Sequence, residues 1–368
     1  MGATAGQVRK GISVVPRPEH GWGHFGDHEK PHLYAGAGAA KKLVAERPAR
    51  TRRRGDVEWR TKVTELLGCK YPIIQGAFGG FGTSALAAPV SEAGGFGIIT
   101  ATALNTPEKL RKDIRKAKSM TDRPFGVNLS LIGHPRIHEL RDVGIEERVA
   151  AIFTSAYKAQ EHGKRIKEAG IPWIHKVGTL KHAQAAERHG ADAVVIVGIE
   201  GEGEKSPVNL STLTSVSMAT KMLRIPVIAA GGIGDARTFL AALAMGAEGV
   251  YMGTVFMATK ECPIAERHKQ DLVKASPSDP EVRERVFAPP PPGLEEMTRK
   301  QEVFQLVGDI KPHSVSRPLP IMGGSMAVGA ITEIVTVKEL IDKIIHEAEE
   351  LLTGEGPLGR ILATRDKS

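Results

Sequence analysis

Residues 226–254 read PVIAAGGIGDARTFLAALAMGAEGVYMGT, and this stretch decides the fold. Residues 226–230 form a short apolar run of strand length, and Gly231-Gly232-Ile233 then turns the chain into an Ala-rich helix beginning at Asp235. Gly246-Ala247 ends that helix, residues 249–252 form a second buried strand, and Gly253-Thr254 opens another helix. Unpaired N–H groups at glycine-fronted helix starts, aided by the helix dipole, bind anions without a charged side chain. A Gly-Gly pair alone is equally a tight turn. Two glycine turns after successive strands match the phosphate-binding loops that follow strands 7 and 8 of a (β/α)8 barrel.

Working outward from this unit, short apolar runs alternate with amphipathic helices from Trp59 onward, which predicts a parallel sheet covered by helices. The predicted strands are 72–75, 97–100, 126–130, 150–154, 173–176, 193–198, 227–230 and 249–252, the number a closed barrel needs. Between them the pattern predicts helices at 84–93, 107–117, 157–169, 180–189, 210–223 and 236–245. Gly94, Gly170, Gly190 and Gly246 stand just past helix ends as stop signals. The fold expected is therefore α/β, a (β/α)8 TIM barrel over 57–260.

Two regions fall outside that pattern. Residues 261–320 contain Pro277, Pro280 and four consecutive prolines at 289–292, and read as an excursion or small lobe. Residues 321–368 return to the barrel with a glycine cluster and an amphipathic helix over 337–352, capped by Thr336 with Glu339 three residues on. At the other end, residues 1–56 are rich in Gly, Pro, Arg and His without periodicity, and read as a disordered basic extension. They lack the apolar core of a secretory signal and the amphipathic, acid-poor character of a transit peptide. Translation starting near Val57 is an alternative reading.

Composition narrows the function classes. The 368 residues are 41% hydrophobic and 25% charged, as in soluble globular proteins, with no run near the roughly 18 apolar residues of a membrane span. The net charge of +8 is concentrated in residues 1–56, which hold 11 Lys and Arg against 5 Asp and Glu. The remaining body is nearly neutral, so no basic nucleic-acid groove is expected. The two cysteines, Cys69 and Cys262, have no metal-ligand spacing, which predicts no metal site and suits a cytoplasmic location.

Functional residues of a barrel belong at the C-terminal strand ends. There the sequence places Gln75-Gly76-Ala77, Asn128, Lys176, and a loop running from Gly198 through Gly201, Glu202, Glu204 and Lys205. Amide side chains and one lysine beside glycine-rich backbone suit the polar edge of a flavin ring. Asn128 is equally read as a turn residue, and Glu202, Glu204 and Lys205 as a solvated charge run.

The stretches YPIIQGAFGG, AAPVSEAGGFGIIT, PFGVNL, HKVGTLKHAQAAERHGADAVVIVGIEGEG, IPVIAAGGI and GAEGVYMGT together resemble the nitronate monooxygenase family, formerly called 2-nitropropane dioxygenases. Flavin-dependent enoyl-acyl-carrier-protein reductases and NADH:quinone reductases share that scaffold. The resemblance covers about 64–258 and resumes near Gly323. It implies an FMN barrel with Gly231, Gly232, Ile233, Gly253 and Thr254 at the phosphate. Gln75, Gly76, Ala77, Asn128, Lys176, Gly198 and Gly201 would then line the ring and ribityl chain. One departure stands out: Glu204 occupies the position of the family's catalytic histidine, with Lys205 beside it, which marks both as candidate catalytic groups. Met326 stands where many relatives carry a glutamine.

Three functions follow as expectations. The first is FMN-dependent oxidation of an alkyl nitronate with O2. The second is NADH- or NADPH-dependent reduction of a quinone or enoyl thioester. The third is a flavin-binding protein that has lost turnover. A homo-oligomer is compatible with each.

Overall fold

The computed structural model describes residues 57–78, 80–131, 134–156, 159–202, 205, 209–287, 324–354 and 356–363. The expectations for residues 1–56, the prolines at 289–292 and Glu204 lie outside them.

Eight parallel strands form the barrel: β1 Ile73–Gln75, β2 Gly97–Thr100, β3 Phe125–Ser130, β4 Ala151–Ser155, β5 Trp173–Val177, β6 Ala193–Val197, β7 Val227–Ala230 and β8 Gly249–Met252. Each matches an expected run to within a residue at either end. The hydrogen-bonded order is β1-β8-β7-β6-β5-β4-β3-β2. Closure between β1 and β2 rests on one isolated bridge, Ile74 to Phe96. The Gln75 side chain extends it, accepting from Ile98 N at 3.1 Å and donating to Ile98 O at 3.2 Å.

Successive strand residues face opposite ways, so alternate positions build two separate cores. Ile74, Ile98, Phe153, Ile174, Val195, Ile228 and Tyr251 fill the barrel interior. Ile73, Ile99, Val127, Ile152, Val194, Val227 and Val250 face outward onto the helices. Both faces are buried, which is why these strands read as continuous apolar runs. The same parity puts Asn128, Ser155 and Lys176 on the inner face at the C-terminal end, and turns His175 outward onto Thr154.

Covering helices follow most strands, with caps that the sequence specifies. Thr106, Thr179, Ser211 and Asp235 each accept a backbone N–H from the first turn of the helix they precede. Gly94, Gly170, Gly190 and Gly246 take positive φ immediately past helix ends. The helix Ile137–Glu146 covers the sheet between β3 and β4. After β8 the expected helix is a single turn, Thr254–Met257. The helix Val337–Thr353, with Thr336 and Glu339 forming its capping box, packs against the helices Ala236–Ala244 and Ser84–Glu92 and so takes the eighth covering position. The helix Lys62–Leu67 adds Val63 and Leu67 to the interior cluster from the opposite end.

The region beyond β8 is less separate from the barrel than its sequence suggests. In the helix Pro280–Phe287, Val282 and Val286 are fully buried in the same core as Ala327 and Val328. No helix among the described residues is long and apolar enough to cross a membrane.

Candidate active site

A cavity of about 310 Å³ opens at the C-terminal ends of the strands, bordered by the loops after β1, β6, β7 and β8 and by Gly324 and Ser325. A larger hollow of about 630 Å³ lies at the opposite end, between the turns at Arg148 and Gly170. Its border holds none of the predicted site residues, and barrel chemistry belongs at the other face.

One wall of the upper cavity is backbone. Gly231 and Gly232 have φ of 105° and 72°, a region closed to most side chains. A Cβ at Gly231 would lie 2.8 Å from Thr212 Oγ1 and 3.0 Å from Gly201 N, and one at Gly232 3.1 Å from Glu200 Cβ. The Gly232 and Ile233 amides donate to no acceptor among the described residues. Gly253 and Thr254 border the same space. This is a cradle of amides with no side chain in the way, suited to a phosphate.

The helix starts contribute less than expected. The first turn of Ala236–Ala244 is already capped by the Asp235 carboxylate, which accepts from Thr238 N at 2.8 Å. The helix after Gly253 has only four residues. The anion-binding groups are therefore the loop amides ahead of the helices. Thr254 is buried, and its hydroxyl lies 2.9 Å from that of Ser325, whose own amide donates back to Thr254 Oγ1 at 2.9 Å.

Part of the cavity border is aromatic. Phe78 and Phe81 stack with ring centroids 4.8 Å apart at the cavity edge. The loop carrying them is pinned by Ala77 N donating to Tyr251 Oη at 2.7 Å and Phe78 N to Thr100 Oγ1 at 3.0 Å. Burial holds the Tyr251 phenol above its usual range, so it stays neutral. Gly76 approaches Gly253 so closely that a Cβ would meet its Cα at 3.1 Å.

Lys176 and Glu202 supply charge at the cavity. Burial raises the Glu202 carboxyl above the ordinary carboxylate range, opposed by Arg285, Lys205 and Lys176. The Lys205 ammonium is lowered by burial, with Glu202 acting against this.

Of the residues singled out from sequence, Gly76, Ala77, Lys176, Gly201, Glu202, Gly231, Gly232, Ile233, Gly253 and Thr254 border the cavity. Gln75, Asn128, Gly198 and the candidate catalytic Lys205 do not. The Gln75 amide is engaged with Ile98 and Gly76 O. A Cβ on Gly198 would sit 2.2 Å from Thr212 N, so this glycine admits the following helix. Asn128 is 1% exposed, with Nδ2 3.4 Å from Ser155 Oγ and no partner for Oδ1 among the described residues. Met326 also lies off the cavity border, its amide donating to Glu200 O at 3.0 Å. Sequence reading passed over Phe78, Phe81, Tyr251, Ser325 and Arg285. The first four lie inside stretches already quoted or clustered by glycine, whereas Arg285 carries no local signal.

Residues 60–140 and 131–305 match the family model described as nitronate monooxygenase. The chain belongs to the nitronate monooxygenase family. Proteins similar to it carry different names. It is 37% identical over 231 residues to (3aS,4S,5R,7aS)-5-hydroxy-7a-methyl-1-oxo-octahydro-1H-indene-4-carboxyl-CoA dehydrogenase of Rhodococcus jostii, a match covering 63% of this chain and 64% of that protein. It is 30% identical over 279 residues to a probable nitronate monooxygenase of Staphylococcus saprophyticus, covering 64% of this chain and 78% of the relative. Among solved structures, FabK from Thermotoga maritima aligns with a TM-score of 0.69 at 34% identity, over 84% of this chain and 99% of that one. The nitroalkane oxidase of Streptomyces ansochromogenes, at 22% identity and a TM-score of 0.62, shares the fold.

Proposed function

We propose that this family member is an FMN-dependent oxidoreductase acting on the carbon–carbon bond beside a thioester carbonyl. FMN, when bound, supplies two-electron redox chemistry. The fit rests on the Gly232 and Ile233 amides, which donate to no acceptor among the described residues, in a turn whose positive φ and crowded Cβ positions favour glycine, with Gly253 and Thr254 on the same cavity. Lys176 would face the polar edge of the ring.

The observation that carries the substrate class is Glu202. A carboxyl on the cavity wall whose pKa burial raises above the ordinary carboxylate range, against the pull of Arg285, Lys205 and Lys176, is suited to hold a proton and hand it to a substrate. Reducing an enoyl thioester needs one proton delivered to carbon, and the reverse dehydrogenation needs one removed there. The 37% identity to a named carboxyl-CoA dehydrogenase supports the same class. NADH or NADPH would be the electron donor in the reducing direction.

Nitronate oxidation with O2 is the second reading. Lys176, Lys205 and Arg285 all act on Glu202, and three cations around one carboxyl favour an anionic substrate. Anaerobic flavin absorbance separates the two. The thioester reading predicts that NADH or NADPH bleaches the flavin and that crotonyl-CoA restores it. Bleaching by propyl-2-nitronate with no response to crotonyl-CoA would replace it with the second, and restoration by a quinone alone would replace both.

A further inference from the structure

We propose that Arg285, reaching in from the helix Pro280–Phe287, is a positioning residue that latches residues 324–330 over the phosphate cradle and aims Glu202 into the cavity. The role rests on the reading of Glu202 as the acid of this site.

The geometry begins with the base from which Arg285 projects. Val282 and Val286 on the same helix are fully buried, so the helix is fixed to the body. From it, Arg285 Nη2 donates to Gly324 O at 2.8 Å, and Nε lies 4.0 Å from Glu202 Oε2. The Gly324 backbone also acts on the Glu202 carboxyl, lowering it against the effect of burial. One arginine thereby ties together the β6 loop and the segment returning to the barrel. A guanidinium presents several donors in one rigid plane, so it can hold a carbonyl and face a carboxylate at once, which a lysine ammonium does poorly.

The residue after Gly324 connects this node to the cradle. Ser325 is bonded through both its amide and its hydroxyl to Thr254, and Met326 N donates to Glu200 O at 3.0 Å. Glu200 also accepts from Thr212 N at 2.8 Å, joining the same segment to the helix start behind Gly231. Arg285 and Gly324 are 39 positions apart, so the latch joins the departing and returning ends of the region beyond β8. That region is thus a functional part of the site.

The test uses the full chain, with two readouts. Hydrogen exchange of the peptide covering residues 324–331 reads the latch without substrate or turnover. Arg285→Met should accelerate it about tenfold or more, the worth of a hydrogen bond to a charged group, with β7 unchanged. Arg285→Lys should give an intermediate value, and serves if the methionine variant does not fold. The pH titration of the bound-flavin spectrum reads Glu202, which Arg285, Lys205 and Lys176 face. Removing the Arg285 cation should move its transition to higher pH, Arg285→Lys should restore it towards the parent, and Glu202→Gln should abolish it. Exchange and transition both unchanged in Arg285→Met would overturn the latch. Accelerated exchange in a protein that turns over no thioester would overturn the substrate reading and leave the latch standing.

Discussion

The carboxamide of Gln75 pairs with the backbone of Ile98, accepting from its amide at 3.1 Å and donating to its carbonyl at 3.2 Å, and so extends the seam where β1 meets β2. A strand three residues long has little other means of joining its neighbour. Gln75→Leu leaves a fully buried donor and acceptor without partners and should lower stability by about 1–3 kcal/mol. Urea unfolding followed by circular dichroism checks this. A variant that unfolds at the parent midpoint but loses its flavin would show that the amide acts on the cofactor.

That residue also shows where sequence reading stops. The eight strands were legible because both faces of each are buried, leaving short unbroken apolar runs between helices. Gly231 and Gly232 were legible because a positive φ and a crowded Cβ position leave few alternatives to glycine. Gln75 reads the same whether its amide points at a ligand or at β2, since both demand a donor and an acceptor at a strand end. Arg285 is set among ordinary helical charges in ERVF, and only the fold brings it to Glu202 and Gly324.

The cradle predicts opposite outcomes for two glycines. Gly232 has φ 72° and faces Glu200 Cβ at 3.1 Å, so Gly232→Leu introduces both strain and bulk. FMN affinity should fall at least about tenfold, some 1.4 kcal/mol. Gly253 has φ −106° and its Cβ would meet Phe78 at an ordinary 3.5 Å, so Gly253→Ala should keep its flavin. The ratio of flavin to protein absorbance in the purified variants decides between them. A fully yellow Gly232→Leu protein would remove the phosphate assignment.

Two buried histidines predict a loss of stability in mild acid. Burial pushes His162 and His175 each down to about 4, well below the ordinary value of 6.5. His138 and Arg141 also lower His162 while Glu161 and Asp142 oppose them. His182 and Lys176 lower His175, and its bond to Thr154 opposes them. Between pH 6.5 and 4 the unfolded chain takes up protons that the native protein refuses. Stability is therefore fully present above about 6.5 and falls as the pH drops, by about 1.4 kcal/mol per unit for each histidine. Urea midpoints from pH 7 to 5 should show this slope, and His162→Phe with His175→Gln should reduce it. An unchanged slope in the double variant would assign the acid sensitivity to carboxylates instead.

Glu202→Gln separates the two substrate readings, because it acts on them in opposite directions. The amide keeps the shape and a donor but has no transferable proton. If Glu202 delivers the proton to carbon, crotonyl-CoA reduction should fall about a hundredfold or more, while flavin bleaching by NADH or NADPH, which needs no such proton, stays near the parent rate. If the site instead binds a nitronate, removing a carboxylate from among Lys176, Lys205 and Arg285 leaves the cations uncompensated, and the KM for propyl-2-nitronate should drop. Glu204→Gln, at the position that the family resemblance in sequence assigns to a histidine, is the companion variant. A large loss in Glu204→Gln with parent-like Glu202→Gln would move the acid two residues along the loop. Parent-like behaviour of both variants in both reactions would leave the loop carboxyls without a part in the chemistry.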